Sequence, residues 1–283
     1  MFGKSLGFLL AQMYFVMKRI DLILQKHEVK IGDTCGTIEP NITEDCIFYE
    51  NDEPIGFYIK DISKYSEKAG KLADLADKEL RSKNVPKTTM ARRTGDGIDE
   101  KTGKFKYKNE VLQYSTILGS IPPKPHMSRP YAQISSVHQV KSAQTFIKAM
   151  LMLALESEKI IKELLPKQYE KQLELFKQVP DKWKFGNLFT SSISNYNISA
   201  PFHRDTKNIV GAVNVIIAKK RNATGGNTTV PDYGATVDSS DNSMLVYPAW
   251  KNIHGVTPII PTHEDGYRNS LVFYPLKAFV GLK

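Results

Sequence analysis

A chain of 283 residues with 41% hydrophobic and 24% charged residues is long enough for a large buried core and has an ordinary globular composition. Its two cysteines exclude a disulfide framework and favour a reduced, cytoplasmic setting. The formal net charge of +9 favours an anionic partner, and nucleic acid is the first candidate.

The N-terminal segment is apolar. The stretch SLGFLLAQMYFVM follows Lys4, but no small-residue cleavage site comes after it, and it is too short to span a bilayer comfortably. We therefore predict that residues 5–25 form an amphipathic or partly buried helix within an N-terminal extension, residues 1–30. We expect no membrane partner.

Residues 31–185 are predicted to form helical support and basic loops. Short β-type segments occur within 31–60, and apolar residues recur at helical spacing over 64–82 and 141–164. Pro166 should end the second helix, and a third follows at about 167–178. Residues 83–110 are rich in glycine and charge, which indicates a long functional loop or a hairpin.

From residue 186 onward the pattern changes to short strands. Runs such as NIVGAVNVIIA and SMLVYP are separated by Gly, Asn, Asp and Pro. Many short strands with such turn residues are typical of a β-sandwich or barrel. We thus expect an α+β protein in which residues 31–283 form a single domain, with a β core over 186–283.

The stretch APFHRD places His203 and Asp205 two residues apart. In an extended segment, side chains at i and i+2 point to the same side, so both can reach one ion. A later β-like run, NIHGVTPI, supplies His254. Two histidines and one carboxylate are the ligand set of non-haem Fe(II) oxygenases. Zinc also accepts this set, so the residue types alone leave both metals open.

Arg268 opens the strand-like run YRNSLVFYPL, fourteen residues after His254. A guanidinium binds a carboxylate through two hydrogen bonds, as the distal carboxylate of 2-oxoglutarate requires. This arginine therefore favours iron with 2-oxoglutarate over zinc. The remaining histidines singled out in the sequence, His126, His138 and His263, lack such neighbours, and we expect structural roles for them.

Four stretches, APFHRD, GGNTTVPDYG, NIHGVTPI and YRNSL, resemble the double-stranded β-helix (jelly-roll, cupin-like) core of 2-oxoglutarate/Fe(II) dioxygenases. More narrowly, the chain is similar to the TET/JBP family over roughly residues 55–280, especially to its compact bacteriophage and bacterial members. The sequence departs from the family at DSSDNS, where a Gly-Asp pair often precedes the distal histidine strand. It also lacks the zinc-binding CxxC finger of the animal enzymes.

The resemblance implies that His203, Asp205 and His254 bind Fe(II) and that Arg268 binds 2-oxoglutarate, which is consumed with O2. Asn195 or Asn197 is a further candidate for a co-substrate contact. The implied reaction is oxidation of the 5-methyl group of 5-methylcytosine in DNA to 5-hydroxymethylcytosine, with further oxidation to formyl and carboxyl products.

Three alternatives stay open. Thymine could replace 5-methylcytosine and yield 5-hydroxymethyluracil, or the same core could hydroxylate a protein or a small molecule. A third alternative, a catalytically silent DNA-binding module, is disfavoured by the complete set of candidate ligands.

A methyl group in a duplex cannot reach a metal inside a barrel unless the base is flipped out or single-stranded. Binding then needs basic residues for phosphates and aromatic residues for stacking. Residues with these properties cluster upstream of the motif and at the edge of the core, and the DNA-contact candidates are Arg92, Arg93, Lys104, Lys106, Lys124, Arg129, Tyr131, Lys219, Lys220 and Arg221. We expect a monomer located in the cytoplasm, which is the host cytoplasm if the source is viral.

Overall fold

The computed structural model describes residues 17–89, 95–98, 105–107 and 112–282. Three helices lie in this part of the chain: α1 (Glu67–Arg81), α2 (Gln144–Leu164) and α3 (Pro166–Phe176). The strands before α2 are β1 (Lys18–Asp21), β2 (Cys46–Glu50), β3 (Glu53–Ile59), β4 (Thr88–Thr89), β5 (Gly95–Ile98), β6 (Phe105–Tyr107), β7 (Tyr114–Ile121) and β8 (Gln133–Ile134). Those after α3 are β9 (Ser191–Tyr196), β10 (Ala200–His203), β11 (Asn214–Arg221), β12 (Ala223–Gly225), β13 (Thr228–Val230), β14 (Ala235–Val237), β15 (Met244–Tyr247), β16 (His254–Val256), β17 (Ile259–Pro261) and β18 (Tyr267–Tyr274).

Two sheets face each other across the core. The major sheet has the strand order β1-β2-β3-β15-β11-β18-β9-β7-β4, with β8 paired to β7, and the minor sheet has the order β10-β16-β13-β14. Strand β12 pairs with β17, and β5 pairs with β6. Apolar side chains of both sheets, such as Phe48, Val237 and Leu245, pack between them. This double-sheet jelly roll with attached helices confirms the predicted fold class.

The helices cover the outer face of the major sheet. The Ser66 hydroxyl caps α1 by accepting a hydrogen bond from the amide of Ala69 at 3.1 Å. Apolar residues of α1 and α2 then share one core with the outward-facing residues of the sheet, including Phe146, Val215 and Phe273. Pro166 begins α3 directly after α2. The helices predicted at 64–82, 141–164 and about 167–178 are confirmed, because their apolar residues recur at helical spacing.

Strand alternation decides which residues of the major sheet face the minor sheet. In β18, Arg268, Ser270 and Val272 line the cavity between the sheets, whereas Leu271 and Phe273 belong to the core under the helices. The two-residue period of a strand thus separates the side chains that line the cavity from those that pack beneath the helices.

Two predictions about the first half of the chain were wrong. Residues 18–21 of the expected N-terminal helix form β1, which pairs in parallel with β2, and residues 22–30 are not helical; residues 5–16 lie outside the described residues. A short apolar run does not by itself distinguish a helix from a strand. The β core also extends beyond 186–283, because β1–β4 and β7 belong to the major sheet. Of the two alternatives for residues 83–110, a long loop or a hairpin, the antiparallel pair β5 and β6 supports the hairpin.

Both cysteines, Cys35 and Cys46, are buried and free. Burial raises the pKa of the Cys35 thiol to about 11, which keeps it protonated at neutral pH. Within the described ranges, the helices are too short or too polar to cross a membrane.

Candidate metal and co-substrate site

His203, Asp205 and His254 meet on the inner face of the minor sheet. His203 ends β10 and is the register partner of His254, which begins β16. Asp205 follows β10 in a turn. Its backbone amide donates a hydrogen bond to the carbonyl of Ala249 at 3.1 Å. Strand pairing therefore brings together residues that are about fifty positions apart in the sequence.

The three side chains converge closely enough to hold one ion. The Asp205 Oδ1 atom lies 3.5 Å from His203 Nε2 and 4.0 Å from His254 Nε2. One ligand atom of each residue lies within 4.8 Å of the other two. Ligand-to-metal distances of about 2.0–2.2 Å fit within such a triangle. Within the described ranges, no other group of three or more His, Cys, Asp or Glu side chains converges in this way.

Backbone carbonyls orient both imidazoles. The Nδ1 atom of His203 lies 2.8 Å from the Pro201 carbonyl, and that of His254 lies 3.1 Å from the Asn252 carbonyl. If each Nδ1–H donates, each Nε2 lone pair points towards Asp205. Burial and, secondly, the neighbouring His203 lower the pKa of His254 to about 4, although the Asp205 carboxylate opposes this shift. The buried imidazole is therefore neutral, which is the form that binds a metal.

Two asparagines orient the Asp205 carboxylate. Its Oδ2 atom accepts hydrogen bonds from Asn214 Nδ2 at 3.0 Å and from Asn208 Nδ2 at 3.4 Å. Asn208 also donates to the Asn214 Oδ1 atom at 2.8 Å. These bonds leave Oδ1 free to face the histidines. Neither asparagine was predicted from the sequence, although Asn208 follows Asp205 by only three residues.

The three side chains line a cavity of about 450 Å³ that is partly open to solvent. Its walls come from β9, β11 and β18 of the major sheet and from β10 and β16 of the minor sheet. Tyr247 and Tyr274 supply large apolar surfaces, and the Tyr247 ring meets the His254 ring edge-on at 5.4 Å. Burial raises the pKa of both phenols, so both stay protonated at neutral pH.

Arg268 lies in the same cavity and is only 3% exposed. Its Nε atom donates to Ser239 Oγ at 3.0 Å, and burial lowers its pKa to about 10. No carboxylate among the described residues forms an ion pair with it. A buried guanidinium that lacks an anionic partner and faces a cavity is suited to a carboxylate ligand.

The two asparagines proposed as co-substrate contacts occupy different positions. Asn195 lines the cavity, and its Nδ2 atom donates weakly to Ser270 Oγ at 3.5 Å. Asn197 has a left-handed backbone, with φ of +54°, and its Oδ1 atom accepts a hydrogen bond from the backbone amide of Arg268 at 2.9 Å. The contact proposed for Asn197 is corrected, because its side chain supports the backbone of Arg268 instead.

The predicted DNA contacts are dispersed. Arg92, Arg93 and Lys104 lie outside the described residues, and Lys106 lies in β6, where its side chain is not described. Lys124 and Arg129 pair through a single β-bridge, and the Arg129 Nε atom donates to the Pro122 carbonyl. Two of the candidates are well exposed: Tyr131, at 80%, and Arg221, which pairs with Asp265 at 3.1 Å.

Lys219 and Lys220 are not surface residues, contrary to expectation. Lys219 is buried on the outer face of β11 and forms ion pairs with Asp74 at 2.7 Å and Asp241 at 2.9 Å. Lys220 is partly buried inside the barrel, where its Nζ atom donates to the Gly225 carbonyl at 2.8 Å. The dipeptide lies within a central strand rather than in a loop, so its side chains alternate between two interior faces.

Arg204 and Lys207, which we call the rim cations, were not among the predicted contacts. Both are exposed, and both line the cavity that holds the three convergent side chains. Neither forms a side-chain ion pair with any other residue in the described part of the chain. Their positions on either side of Asp205, in the stretch HRDTK, could have indicated them. By contrast, His138 has the expected structural role, since its Nε2 atom accepts a hydrogen bond from the amide of Gly119 at 2.9 Å.

The comparisons with known proteins agree with this architecture. Residues 124–277 match the Tet_JBP family, described as the oxygenase domain of the 2OGFeDO superfamily. A comparison with curated protein sequences finds no match. The fold resembles NgTET1 in complex with 5mC DNA, with a TM-score of 0.57 and 13% identity over 97% of this chain and 90% of that chain.

Weaker structural likeness extends to two further proteins. OsALKBH1 has a TM-score of 0.39 and 14% identity over 77% of this chain and 97% of that one. A 2OG-Fe(II) oxygenase family oxidoreductase from Burkholderia pseudomallei has a TM-score of 0.41 and 11% identity over 77% of this chain and 84% of that one.

Proposed function

Because this chain belongs to the Tet_JBP oxygenase family and is therefore an Fe(II)- and 2-oxoglutarate-dependent dioxygenase, we propose that it oxidises the 5-methyl group of 5-methylcytosine in DNA. The product would be 5-hydroxymethylcytosine, and repeated reaction would give the formyl and carboxyl derivatives. Iron bound there would, with 2-oxoglutarate and O2, supply the oxidant for a C–H bond of this methyl group.

We assign iron binding to His203, Asp205 and His254. The donor set supports this assignment, since two neutral imidazoles and one carboxylate on one side of an ion form the facial triad of non-haem Fe(II) oxygenases. The asparagine pair that holds Asp205 Oδ2 keeps the carboxylate in position. We assign the distal carboxylate of 2-oxoglutarate to Arg268, whose buried charge has no carboxylate partner within the described ranges.

One observation carries the choice of a nucleic-acid substrate. The rim cations Arg204 and Lys207 stand at the opening of the cavity, adjacent in sequence to the proposed ligands, and have no acidic partner in the described part of the chain. A base that enters the cavity would bring its flanking phosphates to this opening. Unpaired cations at that point provide the backbone contacts that such a substrate needs. The DNA bound by the structural neighbour NgTET1 agrees with this choice.

Mass spectrometry of nucleosides tests the proposal. A 5-methylcytosine-containing oligonucleotide incubated with enzyme, Fe(II), 2-oxoglutarate and O2 is expected to yield 5-hydroxymethylcytosine. An otherwise identical oligonucleotide without 5-methylcytosine serves as the control. Formation of 5-hydroxymethyluracil in the control would identify thymine, rather than 5-methylcytosine, as the substrate. Succinate release without any modified base in either oligonucleotide would favour a protein or small-molecule substrate.

A second prediction concerns the rim cations. Replacing both with glutamine, Arg204→Gln and Lys207→Gln, is expected to weaken oligonucleotide affinity about tenfold at moderate salt. It should also reduce the slope of log affinity against log salt by about two, roughly one for each lost phosphate contact. The measurement is an anisotropy titration over a range of salt concentrations.

The matched control for the rim variant is Lys148→Gln, which removes an exposed lysine from α2, on the far side of the major sheet. The Lys148→Gln variant should keep the wild-type slope of log affinity against log salt, because it changes the net charge but not the cavity opening. Equal salt slopes for wild type and the double variant would contradict the phosphate contacts assigned to the rim.

A further inference from the structure

Lys220 lies directly beside Arg268 inside the barrel. The two residues are register partners in the antiparallel pair β11–β18, so their side chains leave the sheet on the same face. That face is the inner one, because Ile216, four residues before Lys220, lines the cavity together with Arg268. Lys220 and Arg268 are therefore neighbours on the inner face of the sheet, where Arg268 lines the cavity.

A double-glycine turn holds the two cations close together. The Lys220 Nζ atom donates to the Gly225 carbonyl at 2.8 Å, and the following residue, Gly226, packs on the Arg268 side chain. A Cβ atom on Gly226 would lie 3.1 Å from both Cδ and Nε of Arg268, and one on Gly225 would lie 1.9 Å from the Pro258 carbonyl oxygen. Both glycines have φ of +71°. The turn thus needs glycine for its conformation and for the space it leaves.

The charge balance around this pair is incomplete. The adjacent Lys219 is neutralised by ion pairs with Asp74 and Asp241. Neither Lys220 nor Arg268 forms an ion pair with any described residue, and the hydrogen bonds of their charged groups go to one carbonyl and one hydroxyl. Two neighbouring like charges, the buried Arg268 and the partly buried Lys220, are unfavourable unless an anion joins them. Most of their N–H donors also remain available for such a ligand.

We propose that Lys220 is a second cation of the co-substrate site and binds the distal carboxylate of 2-oxoglutarate together with Arg268. This inference rests on the proposed assignment of Arg268 and adds a binding residue to it. The carboxylate would accept hydrogen bonds from both groups, and its negative charge would offset their mutual repulsion. Lys220 thus contributes to the preference for a 2-oxo acid that carries a second carboxylate.

The charge of Lys220 should make the binding of 2-oxoglutarate depend on pH. Burial lowers its pKa to about 8; Asp238 opposes this shift, Arg268 adds to it, and Asp241 again opposes it. Below this pKa the ammonium is charged and attracts the carboxylate, and above it the attraction is lost. Binding of 2-oxoglutarate should therefore weaken as the pH rises through about 8, and this weakening should be absent when Lys220 is replaced by an uncharged residue.

The test is the dissociation constant of 2-oxoglutarate for the Fe(II)-loaded protein under anaerobic conditions, measured by calorimetry. Lys220→Gln, which retains a donor for the Gly225 carbonyl but no charge, is expected to bind about tenfold more weakly at pH 7. Lys220→Arg should recover most of the affinity. For 2-oxopentanoate, which lacks the distal carboxylate, wild type and Lys220→Gln should bind equally.

Three comparisons make the result decisive. Lys78→Gln, on the exposed side of α1, removes the same charge far from the cavity and should bind like wild type. Wild-type affinity in Lys220→Gln, or an equal loss for 2-oxoglutarate and 2-oxopentanoate, would overturn the proposal and leave Lys220 as a support for the glycine turn. Unchanged binding in Arg268→Gln would instead refute the assignment of Arg268 itself.

Discussion

Replacing His203 with alanine is expected to lower oxidation of a methylated oligonucleotide by more than about a hundredfold. The variant loses one of the three proposed donors, and loss of residues that merely orient a ligand already costs about 10- to 100-fold in metal affinity or activity. Oxidised nucleosides quantified by mass spectrometry, together with the iron content of the protein, give the measurement.

The fold should tolerate this change. The His203 side chain is 39% exposed, so its removal leaves no large buried cavity, and thermal unfolding is expected to stay close to wild type. His263→Ala provides a matched control, because His263 is an exposed histidine near β17 and should retain full activity. Wild-type turnover by His203→Ala would refute the assigned iron site.

Replacing Arg268 with methionine is expected to raise the dissociation constant of 2-oxoglutarate about a hundredfold. The change removes a buried, charge-assisted hydrogen-bond donor of the kind that binds carboxylates through two bonds. Turnover at saturating 2-oxoglutarate should fall less than the affinity does. Calorimetry and initial rates over a range of 2-oxoglutarate concentrations separate the two effects.

The same substitution should stabilise the protein in the absence of 2-oxoglutarate. Arg268 is a buried charge without an ion-pair partner among the described residues, and an apolar side chain of similar length avoids the cost of desolvating it. We expect the Tm of the Fe(II)-free variant to rise by a few degrees. Saturating 2-oxoglutarate should then stabilise wild type more than the variant. A lower Tm together with unchanged 2-oxoglutarate affinity would indicate a purely structural arginine.

The helices and the convergent side chains were predictable for different reasons. The apolar stripes of α1 and α2 are long enough to identify a helix without tertiary information. His203 and Asp205 share one side of an extended segment by local geometry alone. His254 was assigned to the same site because of the ligand types that iron prefers. The pairing of β10 with β16 is the physical reason why His254 lies beside His203.

The basic residues show where local patterns are insufficient. The dipeptide Lys219–Lys220 suggested an exposed edge, yet both residues lie in the central strand β11 and project to opposite faces. The rim cations flank Asp205 in the sequence, but only the tertiary structure shows that both line the cavity. Likewise, residues 18–21 of the helix expected at the N-terminus form β1, because β2 offers an edge with which they pair.

The sequence by itself determined the fold class, the three helices and the residue types suited to iron and 2-oxoglutarate, because these follow from periodicity, from spacing within one strand and from ligand chemistry. Tertiary structure alone decided which charges are buried together. Lys219 is neutralised under α1, whereas Lys220 stands beside Arg268 facing the barrel interior. A one-residue step along a strand reverses the side on which a side chain lies, so the same residue type has two different electrostatic environments.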